Sequence, residues 1–103
     1  MELNNAILSQ LKQIADHYGF TSQANMLTEE AAEFTVALNK LRRGSTDAYD
    51  NIKEEVADDL VIALQLRVLL GPEDIDNIME EKIQRQLGRI EGSANADGEE
   101  KQA

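Results

Sequence analysis

The chain has no cysteine, no tryptophan, one proline, one histidine and, as its only aromatic residues, two tyrosines and two phenylalanines among 103 residues. Without cysteine there is no disulfide, no thiolate metal site and no cysteine nucleophile, so any metal must be held by oxygen or nitrogen. The strand signals, alternating β-branched residues bounded by turns, are missing, and the secondary structure is expected to be helical nearly throughout. No run approaches the roughly 18 consecutive apolar residues of a membrane span. The N-terminus also lacks the basic-then-apolar layout of a secretion signal, so the expected location is the cytoplasm and no membrane is expected as a partner. Positive charge is scarce as well: 10 basic against 20 acidic residues give a formal charge of −10. That balance argues against a general affinity for DNA, RNA or anionic lipid, while leaving room for a small anionic ligand bridged by metal.

What remains is an all-α pattern on the scale of one domain, small enough that self-association would help it bury apolar surface. Leu3, Ile7, Leu11, Ile14 and Tyr18 form one helical stripe, predicting a helix over about 2–18 that stops at Gly19. His17 beside that stop reads as a surface histidine able to cap the last carbonyls. Thr21 or Ser22 is placed to cap a second helix that ends at Gly44 and carries the stripe Leu27, Ala31, Phe34, Leu38 and Leu41. Turn-forming residues from Gly44 to Asp50 lead to a third helix, about Asn51 to Leu70, which is apolar around nearly its whole axis and therefore reads as the most buried. Gly71-Pro72 ends it, and Ile75, Ile78, Met79, Ile83, Leu87 and Ile90 make a fourth stripe flanked by Lys82, Arg85 and Arg89. The predicted helical domain is 1–91. The segment 92–103 has no apolar period and is expected to be a disordered acidic tail.

Two acidic clusters interrupt these core-like helices: Glu29-Glu30-Ala31-Ala32-Glu33 and Glu54-Glu55-Val56-Ala57-Asp58-Asp59. Each holds a pair three residues apart, Glu30 with Glu33 and Glu55 with Asp58, which puts both members on neighbouring turns of one face. In a helical projection with Leu27 at zero, Glu30 falls at about 300°, bordering the core, Glu33 at about 240° and Glu29 at about 200°, facing away. On the third helix, with Ile52 at zero, Asp59 lies at about 340°, Glu55 at about 300° and Asp58 at about 240°, inside the sector of Leu70, Leu66 and Ile62, while Glu54 points elsewhere. Ionised carboxylates on the apolar face of a central helix destabilise it unless paired or metal-bound. A hard divalent cation is the economical compensation. An ion-pair network with Lys40, Arg42, Arg43 and Arg67 is the structural alternative.

The combined pattern Glu-Glu-x-x-Glu, a spacer from Phe34 through Glu54, then Glu-x-x-Asp resembles the signature of the MazG-like all-α nucleoside triphosphate pyrophosphohydrolases, the superfamily of the dimeric dUTPases and dCTP pyrophosphatases. The resemblance spans roughly 5 to 90, with His17-Tyr18-Gly19, Gln23 and Lys82-x-x-Arg85 as supporting features. It implies a four-helix subunit pairing across a dimer, or a tetramer of dimers, into a helical-bundle core. It further implies Glu30, Glu33, Glu55 and Asp58 as ligands of magnesium, with manganese as a substitute, and Lys82 and Arg85 near the triphosphate. The implied reaction converts a nucleoside triphosphate to the monophosphate and pyrophosphate; by position, Glu33 or Asp59 is the carboxylate expected to accept the proton of the attacking water. Asp59 departs from the family pattern, which more usually has an apolar residue there. It is either a supplementary ligand or an acceptor beside the ligands. The scarcity of aromatics leaves the base undefined. A different class of reading is a non-catalytic acidic helical bundle that binds a nucleotide or a protein partner.

Overall fold

The computed structural model describes residues 3–97. It consists of four helices, α1 (Asn5–Tyr18), α2 (Phe20–Arg42), α3 (Ala48–Leu70) and α4 (Pro72–Asp97), with no strand among the described residues. The chain divides at the Leu70/Gly71 boundary into two compact units, both of which the predicted domain 1–91 enters. Helices α1–α3 form the first and α4 belongs to the second.

Asn4 opens α1 by accepting a hydrogen bond from the Ile7 amide on its side-chain oxygen at 3.0 Å, which starts the helix later than the expected residue 2. The helix ends at Gly19, whose N–H reaches the Ala15 carbonyl at 2.8 Å. This backbone bond does the capping expected of His17, which stays exposed and makes an edge-on ring contact with Tyr18 at 4.7 Å. Gly19 has φ 85° and ψ 169°, a conformation open essentially to glycine alone. Because Gly19 turns the chain in one residue, α2 begins directly at Phe20 with no side-chain cap, and Thr21 and Ser22 lie inside the helix rather than before it.

The other end of α2 closes with a Schellman motif: Gly44 N–H bonds the Leu41 carbonyl and Ser45 N–H bonds the Lys40 carbonyl, with Gly44 at φ 91°. Residues 43–47 return the chain, and α3 starts at Ala48, earlier than the expected Asn51. Pro72 occupies the first turn of α4, as expected, after Gly71 at φ 110°. α4 then continues through Asp97, so residues 92–97 are helical where the composition predicts a disordered tail. Elongating an existing helix is far easier than nucleating one, and neither Gly88 nor Gly92 leaves negative φ. Residues 98–103 of that expected tail lie outside the described residues.

Within the first unit α3 packs against both α2 and α1, and α1 touches α2 only lightly. Among the described residues the buried apolar ones are few and mostly small: Leu11, Ala15, Ala37, Ala48 and Ile62. Contrary to the expectation of burial all round, α3 leaves Val56, Leu60, Val61 and Leu70 exposed. Its central place comes from contact with two helices, not from being enclosed. No helix among the described residues is long and apolar enough to cross a membrane.

Candidate metal centre

The site is built on the α2–α3 pair, which the return at 43–47 makes antiparallel; Gln23 near the start of α2 meets Gln65 near the end of α3. On α2 the less exposed positions include Gln23, Leu27, Glu30, Phe34, Ala37 and Leu41, alternating four and three apart. On α3 they include Ala48, Ile52, Glu55, Asp59, Ile62, Leu66 and Leu69 with the same alternation. This is the spacing of two helices meeting along a seam. Ala31, assigned to the stripe from its apolarity, is exposed, and the buried face is turned toward Glu30 by about 40°. Glu30 therefore stands within the seam, not at its border.

The carboxylates separate by position. Glu55 is 8% exposed, Glu30 and Asp59 are half-buried, and Glu29, Glu33, Glu54 and Asp58 are exposed. Asp58, projected into the apolar sector, thus stands at its exposed rim. One carboxylate oxygen from each of Glu30, Glu55 and Asp58 lies within 4.8 Å of the others. Glu33, the fourth expected ligand, is not in that group, although its charge acts on both Glu30 and Glu55. Three oxygens are shut away from solvent with no hydrogen-bond partner: Glu30 Oε2, Glu55 Oε2 and Asp59 Oδ1.

Such orphaned oxygens cost free energy, and the titration of the site reflects it. Desolvation, followed by the charges of Glu33, Asp58 and Glu55 and a hydrogen bond to Glu55, pushes the Glu30 carboxyl up to about 7. Desolvation, then the charges of Glu33, Asp58 and Asp59, also raises Glu55, with the hydrogen bond to Glu30 pulling the other way. The charges that raise the two groups are all carboxylates. The centre is a concentration of carboxylates in which Glu30 and Glu55 are both pushed toward their protonated forms.

An all-oxygen donor set of this kind suits a hard divalent cation. Of the basic residues weighed as structural partners, Lys40, Arg42 and Arg43 are exposed at the end of α2, and Arg67 is half-buried on α3. Lys82 and Arg85 are exposed on α4, in the second unit. An open depression on α1, lined by Gln10, Gln13, Ile14, His17 and Tyr18, is one face of a single helix and gathers no comparable set of groups.

Gln65 carries no signal in the hydropathy pattern, and Gln23 draws notice only through the resemblance. Gln23 Nε2 donates to Gln65 Oε1 at 2.5 Å, with the two residues 6% and 2% exposed. A neutral amide reads as surface in any such pattern. The signal that is present is their spacing, since Gln23 stands one heptad before Glu30 and Gln65 one heptad after Asp58. Neither a protein-family model, nor a curated protein, nor a solved structure matches the chain.

Proposed function

We propose that the protein is a cytoplasmic, MazG-like, magnesium-dependent nucleoside triphosphate pyrophosphohydrolase, manganese serving as a substitute, and that Glu30, Glu55 and Asp58 hold the cation. The observation that carries the reading is Glu55: a carboxylate almost fully buried, with one oxygen unpartnered, facing the oxygens of Glu30 and Asp58. A helical seam tolerates such a group at this position when a cation is its counter-charge. The paired motifs on α2 and α3 supply the substrate class through the resemblance.

When bound, the divalent cation would neutralise charge on the phosphate oxygens and lower the pKa of a water molecule. The chain's own groups do the rest. Glu30, Glu55 and Asp58 would hold the cation, Glu30 in its ionised form. Glu33 at the exposed rim, or Asp59 with its enclosed oxygen, accepts the proton of the attacking water. The bond between the α- and β-phosphoryl groups breaks, water supplies the new oxygen, and monophosphate and pyrophosphate leave. The resemblance assigns Lys82 and Arg85 to phosphate contact.

The chain also exposes many large apolar side chains, among them Ile14, Tyr18, Val56, Leu60, Ile83, Leu87 and Ile90. Surface of this kind supports assembly into a homodimer or a tetramer, and static light scattering at micromolar concentration giving the mass of one chain would remove that part of the proposal. It equally favours the second reading, an acidic helical bundle that binds a nucleotide or a protein partner without turnover. The deciding experiment incubates the protein with magnesium and a panel of standard and modified nucleoside triphosphates, following monophosphate and pyrophosphate together. Release of both in equal amounts, lost in Glu55→Gln, is the expected result. No release above that control overturns the enzymatic reading.

A further inference from the structure

The acid cluster creates a mechanical problem. Carboxylate oxygens of Glu30 on α2 and of Glu55 and Asp58 on α3 lie within 4.8 Å of one another, and without a cation negative charge on them works to part the two helices. The hairpin is covalently closed at only one end, by residues 43–47 with their Schellman termination. At the other end stands the Gln23–Gln65 pair, buried and hydrogen-bonded across the seam. The cluster lies between the two. Seven residues of helix, about 10 Å, separate Gln23 from Glu30 and Asp58 from Gln65.

We infer that Gln23 and Gln65 are positioning residues that clamp the open end of the α2–α3 hairpin and hold Glu30 opposite Glu55 and Asp58 before the cation arrives. This rests on the cation-binding reading above and adds to it the groups that preorganise the site. An amide pair suits the task better than apolar residues, because its bond is directional: it is satisfied at one axial and rotational setting of the two helices. Parting them leaves buried donors and acceptors unpaired, a cost that leucines sliding on leucines do not incur. The clamp is also uncharged, so it adds nothing to the repulsion it resists. A salt bridge at this place would bring a further charge within reach of the cluster.

The test is the full chain carrying Gln23→Met with Gln65→Met, a shape-conserving change that removes both polar partners together and is expected to leave the melting temperature near that of the wild type. Manganese binding is read by the loss of the free-ion electron paramagnetic signal. The helix separation without metal is read by dipolar spin-label distances between labels at the exposed Asn25 and Ala63. The expected result is about tenfold weaker manganese binding and a broadened metal-free distance distribution that magnesium narrows. Gln65→Met alone repeats both measurements should the double variant fail to fold. Unchanged affinity or an unchanged distribution in a folded Met variant overturns the clamp. Absence of manganese binding by the wild type overturns the cation site itself, which the metal-free distances distinguish from failure of the clamp.

Discussion

The seam between α2 and α3 and the apolar stripe of α4 follow the same short-spaced helical period and have opposite fates. In the seam the period is occupied by a partner helix of the same chain, and the positions it buries include Glu55, Gln23 and Gln65 as well as Ile62 and Ala37. On α4, Ile78, Met79, Ile83, Leu87 and Ile90 are each about half exposed or more, although they keep the spacing of an apolar stripe. Burial here is thus set by which faces meet. The comparison also separates two uses of a helical face. One encloses polar groups at a cost and thereby gains a site with unusual titration; the other leaves apolar area available for another surface.

Breaking the first region gives the largest expected effects. Glu55→Gln removes the most enclosed carboxylate and is expected to lower cation-dependent pyrophosphate release by about 100-fold or more, measured under saturating magnesium. The same variant sharpens the comparison in the opposite sense. Without metal it removes a repelling charge, so its melting temperature is expected to equal or exceed that of the wild type. Saturating magnesium at about 100 times its dissociation constant should stabilise the wild type by about 2.7 kcal/mol, read as a rise in melting temperature, and should leave Glu55→Gln nearly unmoved. A wild-type melting temperature indifferent to magnesium would refute the metal centre.

The titration of Glu30 gives a smaller effect with a definite sign. Its folded-state pKa of about 7 stands above the ordinary value of 4.5, so between these pH values the folded chain holds a proton that the unfolded chain has released. Stability of the metal-free protein therefore falls as pH rises through this window, the reverse of a salt-bridged carboxylate. Magnesium binding, which displaces the proton, should strengthen over the same interval. Denaturant midpoints at pH 5 and pH 7.5, with chelator and with magnesium, check both trends. The smallest effect on the folded unit itself belongs to the other region. Ile83→Asp is expected to change stability of the α1–α3 unit by less than about 0.5 kcal/mol while lowering the mass found by light scattering. An unchanged mass in an assembled protein would mean that the stripe is not what holds the copies together.

The all-helical class, the stops at Gly19, Gly44 and Gly71, and the identities of the clustered acids are legible in the sequence because spacing and backbone freedom are local properties. The exact face of α2 is not. Ala31 counts as apolar in any projection, and Glu30 counts as polar, yet the helix pair buries the second and exposes the first. Only the meeting of two helices decides such a case. Asp59 reads from the projection as an anomalous acid in an apolar sector, and its enclosed Oδ1 agrees with that. Motif symmetry treats Asp58 and Glu33 alike, whereas the structure sets both at the exposed rim and only Asp58 within the gathered oxygens. The cap expected at Thr21 or Ser22 does not form because Gly19 needs no second residue to turn the chain.

The Schellman-closed return at 43–47 bears on the order in which the molecule assembles. A short closure fixes little chain entropy, and helical hairpins built from local contacts form early and fast. The carboxylates that gather on α2 and α3 are therefore expected to meet early in folding. Folding rate, and not only final stability, is then expected to depend on pH and on divalent cations. A cation that screens the acids meeting across the hairpin is then expected to speed its closure, read as the refolding rate with magnesium against the rate with chelator.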